Sequence, residues 1–250
     1  MKARPSRRFV PTIAVLTALA ITATGAFAAD ILVLKNGQSR EGEIVGVTGT
    51  SVSMRIGPAT SAVPLAEIAS VKMDVPPAFN SASEAMQQGN AARALVEIRP
   101  IIDKFRGLPL DWARQAFAIQ GDALIELGQL DEAQKVFEAF AAAYPEGDPM
   151  ADVSSARLDI ARENYAAAKA KIDPVIAQSS SILLAEPGKS AQLGRAFLMM
   201  GQINEAAGDN AAALEAYLKT VTIFYADAAA VAEAETRAAA LQSEKNVIVP

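Results

Sequence analysis

The chain of 250 residues contains no cysteine and no histidine, which removes the thiolate and imidazole chemistry on which most nucleophilic and metal-bound sites are built. Catalysis would have to run on paired carboxylates or a Ser-Lys arrangement. The carboxylates are single or adjacent, as in Asp131-Glu132, and chain neighbours point to different faces, whereas a glycosidase pair must face across a gap of roughly 5–10 Å. Asp131-Glu132 suits instead the N-terminus of a helix, where negative charge meets the positive end of the dipole. No Gly-x-Ser-x-Gly elbow, nucleophile-type Ser-x-x-Lys or phosphate loop occurs. No catalytic residue, cofactor site or metal ligand is expected, and the chain reads as a non-enzyme.

A protein without reactive groups acts through its surfaces, so compartment and charge come next. Lys2, Arg4, Arg7 and Arg8 precede an uncharged run from Phe9 to Ala29, the layout of an export signal. The run could just span a bilayer as an uncleaved anchor, but Pro11, Thr12, Thr17, Thr22, Thr24 and Gly25 dilute it, and Ala26-Phe27-Ala28 offers a small-x-small cleavage site. Residues 1–28 are therefore expected to be a signal peptide, with the mature protein in the periplasm or cell envelope of a bacterium. The whole chain has 23 basic and 28 acidic residues; removing the four leading cations leaves 19 against 28, net −9. That balance disfavours nucleic acid, which needs clustered Lys and Arg.

Residues 29–75 read as a small β domain. Ile31–Leu34, Glu43–Val47, Val52–Ile56, Ser61–Val63 and Ile68–Met73 are strand-like runs separated by Asn36-Gly37, Thr48-Gly49-Thr50 and Gly57-Pro58, each a turn signal. Val52, Met54 and Ile56 alternate with Ser53 and Arg55, the period of a sheet with one wet face. Five strands in so short a stretch predict a small barrel, closure being a way to limit exposed edges.

Val33 to Gln38 followed by Glu41 to Gly46 resembles the opening of SH3-like and Sm-like barrels, in which a glycine lets the second strand bend. The resemblance implies the barrel fold. It does not imply RNA binding, because Val47-Thr48-Gly49 and Ile68-Ala69-Ser70 stand where Sm-like proteins carry their RNA-reading Asp, Asn and Arg-Gly.

After Val75-Pro76-Pro77, with residues 76–77 as linker, the chain is rich in alanine and its apolar residues fall at helical spacing. A Gly-x-x-x-x-Ala phrase recurs from Gly89, Gly128 and Gly208, with a glycine-less copy from Glu163. A period near 40 residues on helix-turn-helix units predicts a solenoid. The best copy, Phe117, Gly121, Leu124, Gly128, Ala133, Phe137, Phe140 and Tyr144-Pro145, resembles a tetratricopeptide repeat of the kind found in bacterial envelope proteins. Phe197, Gly201, Gly208, Ala213 and Tyr217 repeat it. The other two copies put Ala82 and Ala156 at the inner glycine and Ile98 and Ile172 at the aromatic. The expected fold is thus mainly α: about four helix pairs over 78–243, closed by a capping helix with Val231, Ala234, Ala238 and Leu241 on one face, then a tail over 244–250.

The resemblance implies peptide binding on the surface made by the first helices. In that frame the candidates are Gln115, Asp122, Glu126, Met150, Arg157, Arg195, Gln202 and Glu205. Ala118, Val153 and Leu198 stand where chaperone-binding members carry a carboxylate-clamping Lys, so that ligand class does not carry over. Two arginines opposite two acids can also neutralise one another. The expectation is a protein-binding scaffold of the envelope with a protein or peptide partner; the alternatives are a self-associating structural subunit and, remotely, an Sm-like RNA module. The intact mass from an exporting host is expected to match a chain beginning at Ala29, and a membrane-bound species retaining residues 1–28 would contradict it.

Overall fold

The structure, a computed structural model, describes residues 29–177, 179, 187–244 and 247. The expected signal peptide, residues 1–28, and nearly all of the expected tail lie outside these residues. A five-stranded antiparallel sheet precedes a mainly helical region. The strands are β1 (Asp30–Leu34), β2 (Ser39–Thr48), β3 (Ser51–Ile56), β4 (Ala59–Pro64) and β5 (Ile68–Lys72). Gly37, Gly49 and Gly57 turn the hairpins with φ of 84°, 60° and 58°, values that only glycine adopts freely.

β2 changes partner along its length. Ser39 to Gly42 pair with β1 and Glu43 to Thr48 with β3. The switch falls at Gly42, where a Cβ would lie 2.3 Å from the carbonyl oxygen of Arg55, so the bend requires glycine. The expected barrel is not closed. Strand order is β4-β3-β2-β1-β5, and β4 and β5 remain unpaired on their outer sides. The helices supply the cover that closure would have given: Leu32, Leu34, Ile44, Val52, Met54, Val63 and Ile68 form one apolar cluster with Phe79, Ile98, Ile101, Ile102, Phe105 and Trp112. β2 also approaches the second helix so closely that a Cβ on Gly46 would meet the Lys104 carbonyl oxygen at 2.9 Å.

The helices are α1 (Pro77–Gln87), α2 (Ala91–Phe105), α3 (Asp111–Glu126), α4 (Leu130–Ala143), α5 (Pro149–Ala161), α6 (Tyr165–Ala177), α7 (Pro187–Ala206), α8 (Asn210–Thr222) and α9 (Ala228–Glu244). Each odd-numbered helix up to α7 packs on the helix that follows it, and also on the next odd-numbered one. The turn within each pair has one form. Gly89, Gly128, Glu163 and Gly208 take φ of 69°, 70°, 60° and 80°, and the next residue's N–H returns to a carbonyl five residues back, as in Asn90 to Ala85 and Asn164 to Asp159. This is a helix end that needs a left-handed residue.

Between the helices of a pair, volume is exchanged across the crossing. A Cβ on Gly121 would meet the Phe137 ring at 2.3 Å, and one on Gly201 the Tyr217 ring at 2.2 Å. Ala82 with Ile98, and Ala156 with Ile172, hold the same places fully buried. Those two pairs also share an internal proline, Pro100 in α2 and Pro174 in α6, so the first and third units form one type and the second and fourth another. At the end of α4, buried Tyr144 donates its hydroxyl to the Leu108 carbonyl and accepts from Gly107 N–H, both at 3.1 Å. Burial pushes its pKa up to about 12.

Two stability measurements follow. Glu163 is the one non-glycine residue with positive φ among the described residues, so Glu163→Gly is expected to raise stability by about 1 kcal/mol in denaturant melts; a loss would contradict the left-handed turn. Gly121→Ala is expected to cost about 1–3 kcal/mol by overpacking. Combined with Phe137→Ile, which recreates the pairing of the first and third units, the loss should be smaller than the sum of the single losses, and strict additivity would contradict the contact.

Candidate functional site

Three of the sequence candidates meet at one point. Asp122 of α3 is buried, with its side chain between Arg157 of α5 and Arg195 of α7. Arg157 Nη1 lies 3.6 Å from Asp122 Oδ1, and Arg195 Nη1 lies 3.7 Å from Oδ2. Ser154 Oγ donates to Oδ2 at 3.4 Å. Arg157 reaches back along α3 to Glu126 at 3.2 Å. Arg195 reaches forward through Nε to Asp227, whose Oδ1 accepts the backbone N–H groups of Ala229 and Ala230 and so caps α9.

About two turns further along α7, Gln202 and Glu205 belong to a second group. Gln202 Nε2 donates to Glu233 at 2.8 Å, Tyr217 Oη to Glu205 at 2.8 Å, and Arg237 spans Glu205 at 3.3 Å and Glu233 at 3.0 Å. Gln115 and Met150, both half-buried near the starts of α3 and α5, stand apart from either network. The structure therefore places six of the eight candidates in two polar networks that follow one another as a ladder along α3, α5, α7 and α9, and leaves two outside it.

Electrostatics give the ladder its character. Burial works against charge on Arg195, but Asp122 and Asp227 raise the pKa of its guanidinium. Burial pushes the Asp227 carboxyl upward, yet Arg195 and the two N–H groups outweigh that and hold it below the ordinary range. Tyr217 is raised by burial and by its bond to Glu205. The cations of this face are spent on its own acids, so an anionic ligand here would have to displace Asp122 or Asp227. No group of acids able to hold a metal ion occurs among the described residues, and no helix among them is long and apolar enough to cross a membrane.

Sequence reasoning does not reach Ser154 on α5, nor Asp227, Glu233 and Arg237 at the start of α9 and along it, where the pattern points only to an apolar face. A signal was present in the spacing. Arg114–Glu146, Ser154–Asp122, Arg157–Glu126, Arg162–Asp131, Arg195–Asp227, Gln202–Glu233 and Arg237–Glu205 are all bonded pairs 31 or 32 residues apart. That separation carries the chain from one odd-numbered helix to the next, or across the matching turns.

The chain matches no protein-family model, and no curated protein or solved structure shows significant similarity to it.

Arg195→Met is expected to destabilise the protein by about 2 kcal/mol in denaturant melts, below the full cost of a broken buried pair, because Arg195 keeps 41% of its side-chain surface exposed. An unchanged midpoint would show that the pairs to Asp122 and Asp227 carry no net energy. The sign for acid is fixed by Asp227: a folded pKa below the unfolded value of about 3.9 contributes stability above that pH, which is lost as pH falls through the folded value. Denaturant midpoints taken from about pH 5 downward should fall, and fall less steeply in Asp227→Asn, because that component is absent from the variant.

Proposed function

We propose that the protein is an exported, non-catalytic scaffold of the bacterial cell envelope, in which a tetratricopeptide-type solenoid binds a protein or peptide partner on the face made by α3, α5 and α7. The observation that carries the reading is the recurrence of one unit. Four helix pairs share the same left-handed turn and the same exchange of small against large at the crossing, and polar pairs set 31 or 32 residues apart link the second unit to the third and the fourth to α9. Such an array offers a long surface rather than an enclosed pocket. The bent β2 and the strand order support an SH3-like arrangement for residues 29–75, open at β4 and β5 and seated on the first helices. The leading basic and apolar residues support export, and the net acidity of the remainder disfavours nucleic acid.

Because Arg157 and Arg195 hold helices together, reversing their charge would test stability and binding at once. Gln115 and Met150 separate the two: they face the same side and carry none of the ladder. The double variant Gln115→Glu, Met150→Glu is expected to keep its circular dichroism and to lose at least about ten-fold in capture of partners from solubilised envelope, since replacing an anchoring contact costs about 1.4 kcal/mol or more. Equal capture would remove the binding role from this face. Light scattering at the mass of one chain sets the scaffold apart from a self-associating subunit.

A further inference from the structure

On α3, α2 and α4 lie side by side, and the gap between them is an open cleft of about 310 Å³. Its floor mixes the half-buried Val136 and Ala139 of α4 and the polar Gln120 of α3 with the buried Ile102, Phe117 and Leu124 beneath. Its α2 rim carries Arg99 and Arg106, both exposed and neither engaged in an ion pair or hydrogen bond through its guanidinium among the described residues. That sets them apart from Arg114, Arg157, Arg195 and Arg237 of the odd-numbered helices, each of which faces a carboxylate.

On the α4 rim Lys135 and Glu132 bond each other at 2.7 Å and cancel. Asp103 alone opposes the two arginines, so the cleft is cationic in a chain of net charge −5. One turn before Arg99, Val96 is 72% exposed. Pro100 lacks the N–H that would bond the Val96 carbonyl, which leaves a backbone acceptor beside the rim.

We propose that this cleft is a second docking site, separate from the face formed by α3, α5 and α7, and that it takes a short acidic peptide segment. An apolar side chain would seat on the Val136 and Ala139 floor, and flanking carboxylates would pair with Arg99 and Arg106. Seven residues along a helix separate the two arginines by about 10 Å, which an extended peptide covers in about three residues. A free dicarboxylate fits less well, because small-ligand sites bury most of the ligand and both cations here stand on an open rim. Arginine suits the role by its bidentate geometry toward carboxylate.

The test uses the full chain and a dye-labelled peptide, acetyl-Gly-Glu-Leu-Ser-Glu-Gly, followed by fluorescence anisotropy at low and moderate salt. Saturable binding is expected, weakened at least about ten-fold by Arg99→Gln with Arg106→Gln, equivalent to about 1.4 kcal/mol, and by a peptide with Lys in place of both Glu. Ala139→Trp, which fills the floor, should weaken it without altering the arginines; Gln115→Glu with Met150→Glu should leave it unchanged. Circular dichroism confirms folding of each variant. Absence of saturation, equal binding of the Lys peptide, equal affinity in the folded arginine variant, or glutarate binding as tightly as the peptide would overturn the proposal.

Discussion

Everything in the helical region depends on how closely paired helices can approach at their crossing. The limit is set by one side chain on each helix, and the sum of the two is nearly conserved: no side chain against an aromatic ring in the second and fourth units, a methyl against isoleucine in the first and third. Close-packed interiors enforce this because both a void and an overlap are costly. The shared crossing gives the four pairs the same contact at their centre, and each odd-numbered helix up to α7 packs on the next odd-numbered one. The polar pairs 31 or 32 residues apart form between helices already in contact. The ladder ties together helices that the crossings have already brought into line.

The same dependence explains why the sheet is open. A closed barrel hides its apolar face by curling around it. Here the face made by Leu32, Ile44, Val52 and Met54 meets α2 and its neighbours instead, so the energetic reason for closure is gone, and β4 and β5 keep free edges. The sheet acts as an end cover for the helical stack, and the stack acts as the missing wall of the sheet. The close approach of Gly46 to the Lys104 carbonyl fixes their distance.

Legibility in the sequence follows the range of each interaction. The strand runs, the Asn36-Gly37 turn and the Gly89, Gly128 and Gly208 helix ends rest on local backbone chemistry, and the residues alone reveal them. The small-against-large exchange was also readable, because Gly121 and Phe137 lie in adjacent helices at a spacing that repeats. Closure of the sheet was not readable, since it depends on how elements some forty residues away cover one face. The eight candidates lie on α3, α5 and α7, but the state of their side chains is not legible in the sequence. Whether Arg195 waits for a ligand or is spent on Asp122 and Asp227 depends on contacts spanning more than 100 residues of chain.

A face whose charges are mutually satisfied recognises a partner by shape and apolar contact more than by charge, because each ion pair broken on binding must be regained. On this protein, fixed charge and available charge are therefore segregated. The odd-numbered helices use theirs to tie one helix to the next, and the α2 rim presents two arginines that have no ion-pair partner among the described residues. Pro100 sharpens the difference: a helix that gives up one of its own hydrogen bonds at an exposed turn is less stable by itself, and α2 offsets that loss by burying Ile98, Ile101, Ile102 and Phe105 against the sheet and its helical neighbours. The β domain thus acts on the cleft without forming part of it, because it anchors the helix whose outer side carries the unspent charge.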